Sequence, residues 1–557
     1  MHDALSDCSM KELFHHSLNA SRGHPPATKR TLPLLFVPLL LLILGCTFLT
    51  RLAGDQPGAA YGVDREEALF LSGGQPRTLD PALTHGGPSG ALGHIFSGLV
   101  TLGPDLRVHP DLAAGWEVRD GGTRYIFHLH PNARFHDGRL VTAEDVIFSW
   151  ERAADPQMGS DTALTYLGDI VGVAEKVAGE ADRIVGLRAL DEHTLEVRID
   201  GPKPAFLAKL TYPVAFVVDH ENVRQPDWEH QPNGSGPFKL AVWEDDEIIV
   251  LARNEAFYGP RANIPHVVLL LDAGLPLARY ENGEIDIVGV GGATLERVED
   301  PNDPLFAELR RTAAMCTTFV GLNNERPPLD DPLVRQALSH ALDRERLISG
   351  LMQGNALPAN GPLPPGIPGY TERTAPYPFD PQKARSLLLE ASYDPDTSPP
   401  LTFTTAGYGS VGSFVAAVIS MWEENLGITI EPVLLDPFSY SEQLHDGNVG
   451  HFYSYGWCAD YPDPQNFLDV LYHSSSPQNL GQFDDPVIDR LLEEARVEPD
   501  PQARLGLYGE IEAALIEAAP AVYVSHSLAA TLVKPYIESY HLTPIGVPQW
   551  HRLRIER

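Results

Sequence analysis

Phe135-His136-Asp137-Gly138-Arg139-Leu140-Val141-Thr142-Ala143-Glu144-Asp145-Val146 is the stretch from which the fold is read. Thr142 and Asp145 stand at capping-box spacing, where a hydroxyl and a carboxylate three residues apart satisfy the first orphan amides of a helix. Val146, Ile147 and Trp150 then supply an apolar stripe at helical spacing. His136 next to Asp137 is a pairing that acid–base chemistry uses, but its place just before a helix start predicts a structural turn instead.

Working outward, the segment 67–72 alternates weakly and runs into Gly73-Gly74, as a strand entering a turn. Residues 91–99 carry Leu92, Ile95, Phe96 and Leu99 on one helical face. Segments 116–118 and 124–129 read as a hairpin around Gly121-Gly122, and 195–199 alternates as a strand. Asn233-Gly234-Ser235-Gly236-Pro237-Phe238 is a glycine-rich turn opening a second hairpin that ends near 251. It lacks the Lys-Ser/Thr of a phosphate loop, which excludes that mode of nucleotide binding. Gly283-Glu284-Ile285-Asp286 is a turn into a strand. Asp331-Pro332 and Asp485-Pro486 each place an N-cap before a proline at the first helical position. Val334, Leu338, Ala341 and Leu342 are the expected buried face of the first of these helices. A helix over 503–519 is followed by a strand over 521–524. Strands and helices alternate without long runs of either, so the class is α/β or α+β.

The chain has 557 residues, more than one core can absorb, since single cores stop growing near about 250–300 residues. Two or three domains are expected. With 75 Asp and Glu against 41 Lys and Arg, the net charge is −34, which argues against nucleic acid as a partner. Residues 32–49 are almost wholly apolar and follow Lys29-Arg30, the pattern of a signal or membrane-anchor segment with positive charge left inside. Ile43-Leu44-Gly45-Cys46 resembles a bacterial lipobox, with Cys46 as the lipidated residue; an uncleaved transmembrane helix is the alternative. Either places the remainder outside the cytoplasm, with 51–65 as a tether. In that exported part Cys316 and Cys458 are left, either paired or as two buried thiols.

Gly456-Trp457-Cys458-Ala459-Asp460-Tyr461-Pro462-Asp463-Pro464 reads as a stiff loop in which Trp457 and Tyr461 wall a pocket around Asp460. A carboxylate held near apolar surface suits a cationic group, while a loop Asp read from the residues alone is more often solvated or caps a helix.

These stretches together resemble the peptide/nickel-binding family of extracellular solute-binding proteins that serve ABC importers. The resemblance rests on Phe135-His136-Asp137-Gly138, Thr142-Ala143-Glu144-Asp145-Val146, Phe148-Ser149-Trp150, Gly234-Ser235-Gly236-Pro237-Phe238, Gly283-Glu284-Ile285-Asp286, Asn323-Asn324, Pro327-Pro328-Leu329-Asp330-Asp331 and Val334-Arg335-Gln336-Ala337-Leu338. It implies an α/β fold of two periplasmic-binding-protein-like lobes (type II) with an additional inserted domain. Domain I would comprise 66–105, 226–318 and 506–557, domain II 106–225 and domain III 319–505. The 456–464 stretch most resembles oligopeptide-binding members, and that likeness implies Asp460 as the acceptor of a ligand α-ammonium. It also implies a Cys316–Cys458 disulfide. Trp457, Cys458, Tyr461, His451 and Tyr166 are the further candidate ligand contacts. Two departures stand out. Ser454 occupies the place of a basic residue that meets the ligand carboxylate, and Gly321 that of a Glu.

The implied activity is capture of a peptide by hinge closure and delivery to an ABC permease and its ATPase, at the outer side of the membrane. A non-peptide solute such as a metal chelate, opine or oligosaccharide is the alternative within the fold. No catalytic residue, cofactor or metal is expected, since the chain has neither His-Glu-x-x-His nor Gly-x-Ser-x-Gly.

Overall fold

The computed structural model of the chain describes residues 58–557, other than 85–89, 272–273 and 374. The expectations for the apolar run 32–49 and for Cys46 lie outside the described residues. Among the described residues no helix is long and apolar enough to cross a membrane. Residues 58–65, expected as part of a tether, are instead packed on the fold: Val63 is buried and Arg65 ion-pairs with Asp286.

Among the described residues eleven strands form one sheet: β1 (Ala68–Ser72), β2 (Phe238–Glu244), β3 (Ile248–Arg253), β4 (His266–Leu270), β5 (Ile287–Gly289), β6 (Leu309–Leu322), β7 (Ala356–Pro358), β8 (Leu401–Ala406), β9 (Ile430–Leu435), β10 (Phe452–Cys458) and β11 (Ala521–Val533). Their order is β9-β8-β10-β6-β11-β5-β1-β4-β3-β2, with β7 pairing off this path on β11. β6 and β11 are its long members and run antiparallel to each other. Their register shifts between Ala313 and Thr317 and again between Thr318 and Phe319. A shifted register leaves ladder groups unpaired and bends the strands locally. On one side of the break Leu309, Ala530 and Leu532 pack with Phe70 and Tyr280. On the other, Val320, Leu322, Val522 and Val524 pack with Phe403 and Trp422. The result is two lobes with separate cores, joined through two bent strands.

A separate four-stranded sheet, in the order Ala113–Arg119, Arg124–Leu129, Thr194–Arg198, Leu187–Asp191, builds the additional domain. Its helix Ala143–Ala153 starts with the expected capping box of Thr142 and Asp145. Trp150 is fully buried on that helix and donates its indole N–H to the Ala215 carbonyl oxygen at 2.9 Å.

The sequence motifs are joints between these parts. The His136 N–H donates to the Gly234 carbonyl oxygen, and the Asp137 N–H to Asn233 Oδ1. A Cβ at Gly234 would lie 2.0 Å from the Ile95 carbonyl oxygen, and one at Gly236 2.3 Å from that of His94, so only glycine fits either place. Burial pushes His136 down to about 4, and Asp137 accepts from the Arg139 N–H; both act as turn residues. Asp286 is fully buried, and Arg65, Arg557, Tyr536 and the Phe70 N–H all donate to it. Three donating side chains and an amide offset the cost of removing its charge from water. The helix expected over 91–99 covers just Leu92–Ile95. Phe96 turns extended because the Ile95 carbonyl accepts the Gly236 amide and Ser97 pairs with Val217.

Candidate functional site

The nonapeptide expected as a loop divides in two and leads into a helix. Residues 456–458 end β10, 459–464 turn, and a helix begins at Gln465. β10 pairs with β6 along its whole length, from Cys316 opposite Cys458 to Leu322 opposite Phe452. Its other edge meets β8 at Phe452 and Tyr453 alone. Among the described residues the outer edge of 455–458 therefore has no neighbouring strand, and it faces a cleft of about 1230 Å³.

Asp460 lies in that cleft, half-buried, just beyond the open edge. Its backbone N–H donates to Asn466 Oδ1 at 2.9 Å, and the Trp457 indole N–H donates to the same oxygen at 3.2 Å. Asn466 is fully buried, so one side chain sets the positions of both residues. Asp460 Oδ2 accepts from the Tyr166 hydroxyl at 2.5 Å and from Asn466 Nδ2 at 3.4 Å. Among the described residues no hydrogen bond reaches Oδ1. Burial pushes the Asp460 carboxyl up to about 6, against the pull of the bonds from Tyr166 and Asn466. Tyr166 belongs to the additional domain and stacks flat on Tyr212 at 3.8 Å.

The turn is held from behind. Arg504, on the helix Pro501–Ala518, grips both oxygens of Asp463 at 2.7 and 2.8 Å. Cys316 and Cys458 are bonded to each other beside the register break of β6. Cys458, Trp457 and Tyr166 line the cleft together with Asp460.

Two expected ligand contacts are placed elsewhere. Tyr461 is wholly buried in the core of the additional domain, edge-on to Tyr166, and so fastens the turn to that domain. His451 precedes β10, where its Nδ1 accepts from the Thr402 N–H at 3.0 Å, and it does not line the cleft. Burial pushes it down to about 4, and a neutral ring there serves the strand junction. Residues missed in the sequence include Asn466, an amide six positions past the carboxylate on the helix that follows the turn.

Among the described residues no group of three or more His, Cys, Asp or Glu is arranged to hold a metal.

Residues 107–479 match the bacterial extracellular solute-binding proteins, family 5 (middle region). The chain belongs to this family. It is 30% identical over 508 residues to the periplasmic oligopeptide-binding protein OppA of Salmonella typhimurium, covering 88% of this chain and 92% of that one. It is 31% identical over 517 residues to the probable deoxycholate-binding periplasmic protein YgiS of Escherichia coli, covering 89% and 94%. The structure of the Escherichia coli murein tripeptide binding protein MppA superposes with a TM-score of 0.79 at 26% identity, over 89% of this chain and 99% of that one.

As a family 5 protein the chain carries Gly321 and Ser454 beside the cleft rather than in its lining. A Cβ at Gly321 would lie 2.0 Å from the ring of Tyr453, so the tyrosine occupies the space that a longer side chain at 321 would need. Ser454 faces Thr405, with 3.3 Å between the hydroxyls, and brings no charge to the cleft.

Proposed function

We propose that the protein is the extracytoplasmic solute receptor of an ABC importer and that it captures short peptides. Asp460 carries this reading: a carboxylate with one open oxygen, at the end of an unpaired strand edge, inside a cleft of peptide size. An extended peptide would add to the edge of 455–458 through backbone hydrogen bonds, which do not depend on its side chains. Its α-ammonium would then meet Asp460, with Trp457, Cys458 and Tyr166 around it. The lobes would close about the break in β6 and β11, domains I and III enclosing the ligand. In this reading domain I comprises 66–105, 226–318 and 506–557, domain II 106–225 and domain III 319–505. The periplasmic relatives support a location outside the cytoplasm. We propose membrane attachment through residues 1–50, by a lipid on Cys46 or by an uncleaved helix. The captured peptide passes unchanged to the permease and its ATPase, without a catalytic step.

Mass spectrometry of ligand released from the purified protein tests this, with calorimetry on tri-alanine as the probe. Intact short peptides and measurable tri-alanine binding are expected. The relative named for deoxycholate makes a steroid carboxylate the competing ligand, to be included in the same titrations. Binding of deoxycholate with none of tri-alanine would overturn the peptide reading, and shortened peptides recovered after incubation would show an enzyme.

A further inference from the structure

A ligand with an ammonium at Asp460 has a second end, and the cleft has one guanidinium to offer it. Among the described residues that line the cleft, Arg77 is the single Lys or Arg. It is exposed, and no hydrogen bond or ion pair to it is found among the described residues. The chain has 75 carboxylates against 41 basic side chains, so basic side chains are the scarcer partner in it.

The loop around Arg77 is fixed while its side chain is not. On one flank Gln75 donates to Asp245 at 2.6 Å and accepts from the Asp246 N–H at 3.0 Å. On the other, the Thr78 hydroxyl and the Leu79 N–H both donate to Glu229, at 2.5 and 2.6 Å. Pro76 stiffens the link between them. Asp245 and Glu229, which anchor the two flanks, are thus engaged by Gln75, Thr78 and Leu79, and the backbone at 77 is held at the cleft wall.

Arg77 follows β1 and Asp460 follows β10, strands that stand on opposite sides of β6 and β11 in the sheet order, so the two residues belong to different lobes. Ser454 supplies no cation from the Asp460 side. We propose that Arg77 forms a carboxylate-binding subsite, taking the C-terminal carboxylate of a peptide whose ammonium sits at Asp460. This rests on the peptide reading above and adds to it the charge of the ligand's far end. A guanidinium offers a planar pair of N–H donors that match a carboxylate, so the subsite selects a free acid over an amide. Because the two charges of the ligand are met from different lobes, the bound zwitterion itself bridges the closed form. An extended residue spans about 3.3–3.6 Å, so ligand length decides whether the far end reaches Arg77.

The test is calorimetry on the full chain in detergent with di-, tri- and tetra-alanine, each as the free acid and as the C-terminal amide. The wild type is expected to prefer the free acid by about 10–100-fold at the length that reaches, the size of a charge-assisted hydrogen-bonded pair. Arg77→Gln should erase that preference while leaving affinity for the amide unchanged, and Arg77→Lys should restore part of it. His445→Ala serves as the control, since His445 also lines the cleft and its Nδ1 already contacts the Ser441 carbonyl oxygen at 2.8 Å. If Arg77→Gln keeps the wild-type preference at every length, or His445→Ala alone removes it, the subsite is overturned while the peptide reading stands. If the wild type binds none of the six peptides, the peptide reading fails and the subsite with it.

Discussion

The hydroxyl of Tyr166 donates to Oδ2 of Asp460 across 2.5 Å, although 294 positions separate them in the chain. The bond ties the additional domain to the cleft and leaves Oδ1 as the oxygen that no hydrogen bond reaches among the described residues. It also keeps a carboxylate in place at a site that burial makes unfavourable for charge.

Replacement of Asp460 tests the ammonium role directly. A ligand ammonium enclosed between closed lobes loses its water, and only an opposite charge offsets that loss. Asp460→Asn should weaken a free peptide by about 3–5 kcal/mol, or roughly two to three and a half decades in Kd. An N-acetylated peptide brings no charge and should lose little. Calorimetry on both ligands with both proteins reads the difference; equal losses for the two would refute the pairing.

The pH profile of binding follows from the same group. Its pKa in the free protein is about 6, above its ordinary 3.8, and an ammonium needs the ionised form. Affinity should be flat above pH 6 and fall by up to about tenfold per unit below it. Tyr166→Phe removes a hydrogen bond to the carboxylate and should move the midpoint upward. In the ligand-free protein the native state holds this proton between about pH 4 and 6, where the unfolded chain has released it. The group's contribution to stability therefore falls as pH rises through that window. Titrations of Asp460→Asn beside the wild type isolate both effects, since the variant should lack them.

The Cys316–Cys458 bond closes a loop across 142 positions. Chain-entropy arguments give about 4–5 kcal/mol for loops of that length, and measured effects are often smaller. The double variant Cys316→Ser/Cys458→Ser should melt at lower temperature, and it should gain nothing from oxidising conditions. Non-reducing peptide mapping of the wild type should recover the two cysteines linked. Two free thiols there would remove the bond.

Gly321 and Tyr453 are a matched pair across β6 and β10. Gly321→Ala puts a methyl into the tyrosine ring, and overpacking of this kind typically costs about 1–3 kcal/mol. Tyr453→Leu in the same chain should recover part of that loss by vacating the space. Chemical denaturation of the two single variants and the double reads the coupling. Additive losses would mean that the two side chains do not compete for one volume.

Much of the frame was legible because its signals are local. The capping box of Thr142 and Asp145 and the Asp-Pro starts at 331 and 485 each satisfy amides within a few residues of themselves, so the pattern alone specifies them. The buried face of Val334, Leu338, Ala341 and Leu342 follows from helical period. The helix expected over 91–99 was too long because the amide that ends it comes from Gly236. Tyr461 and Trp457 look equivalent in the sequence, four positions apart around one carboxylate. Only the packing of the additional domain sends one ring into its core and leaves the other in the cleft.

The sequence by itself determined the family, the alternation of strands and helices, and the carboxylate at 460 as the residue to watch. Those follow from residue type and short spacing. The tertiary structure alone decided that β10 leaves an edge open beside Asp460, that Tyr166 and Asn466 hold its carboxyl from elements distant in the chain or beyond the turn, and that Arg77 lines the same cleft. The reason is physical: strand order, burial and the field at a buried group depend on which distant segments come together, and no spacing along the chain encodes that.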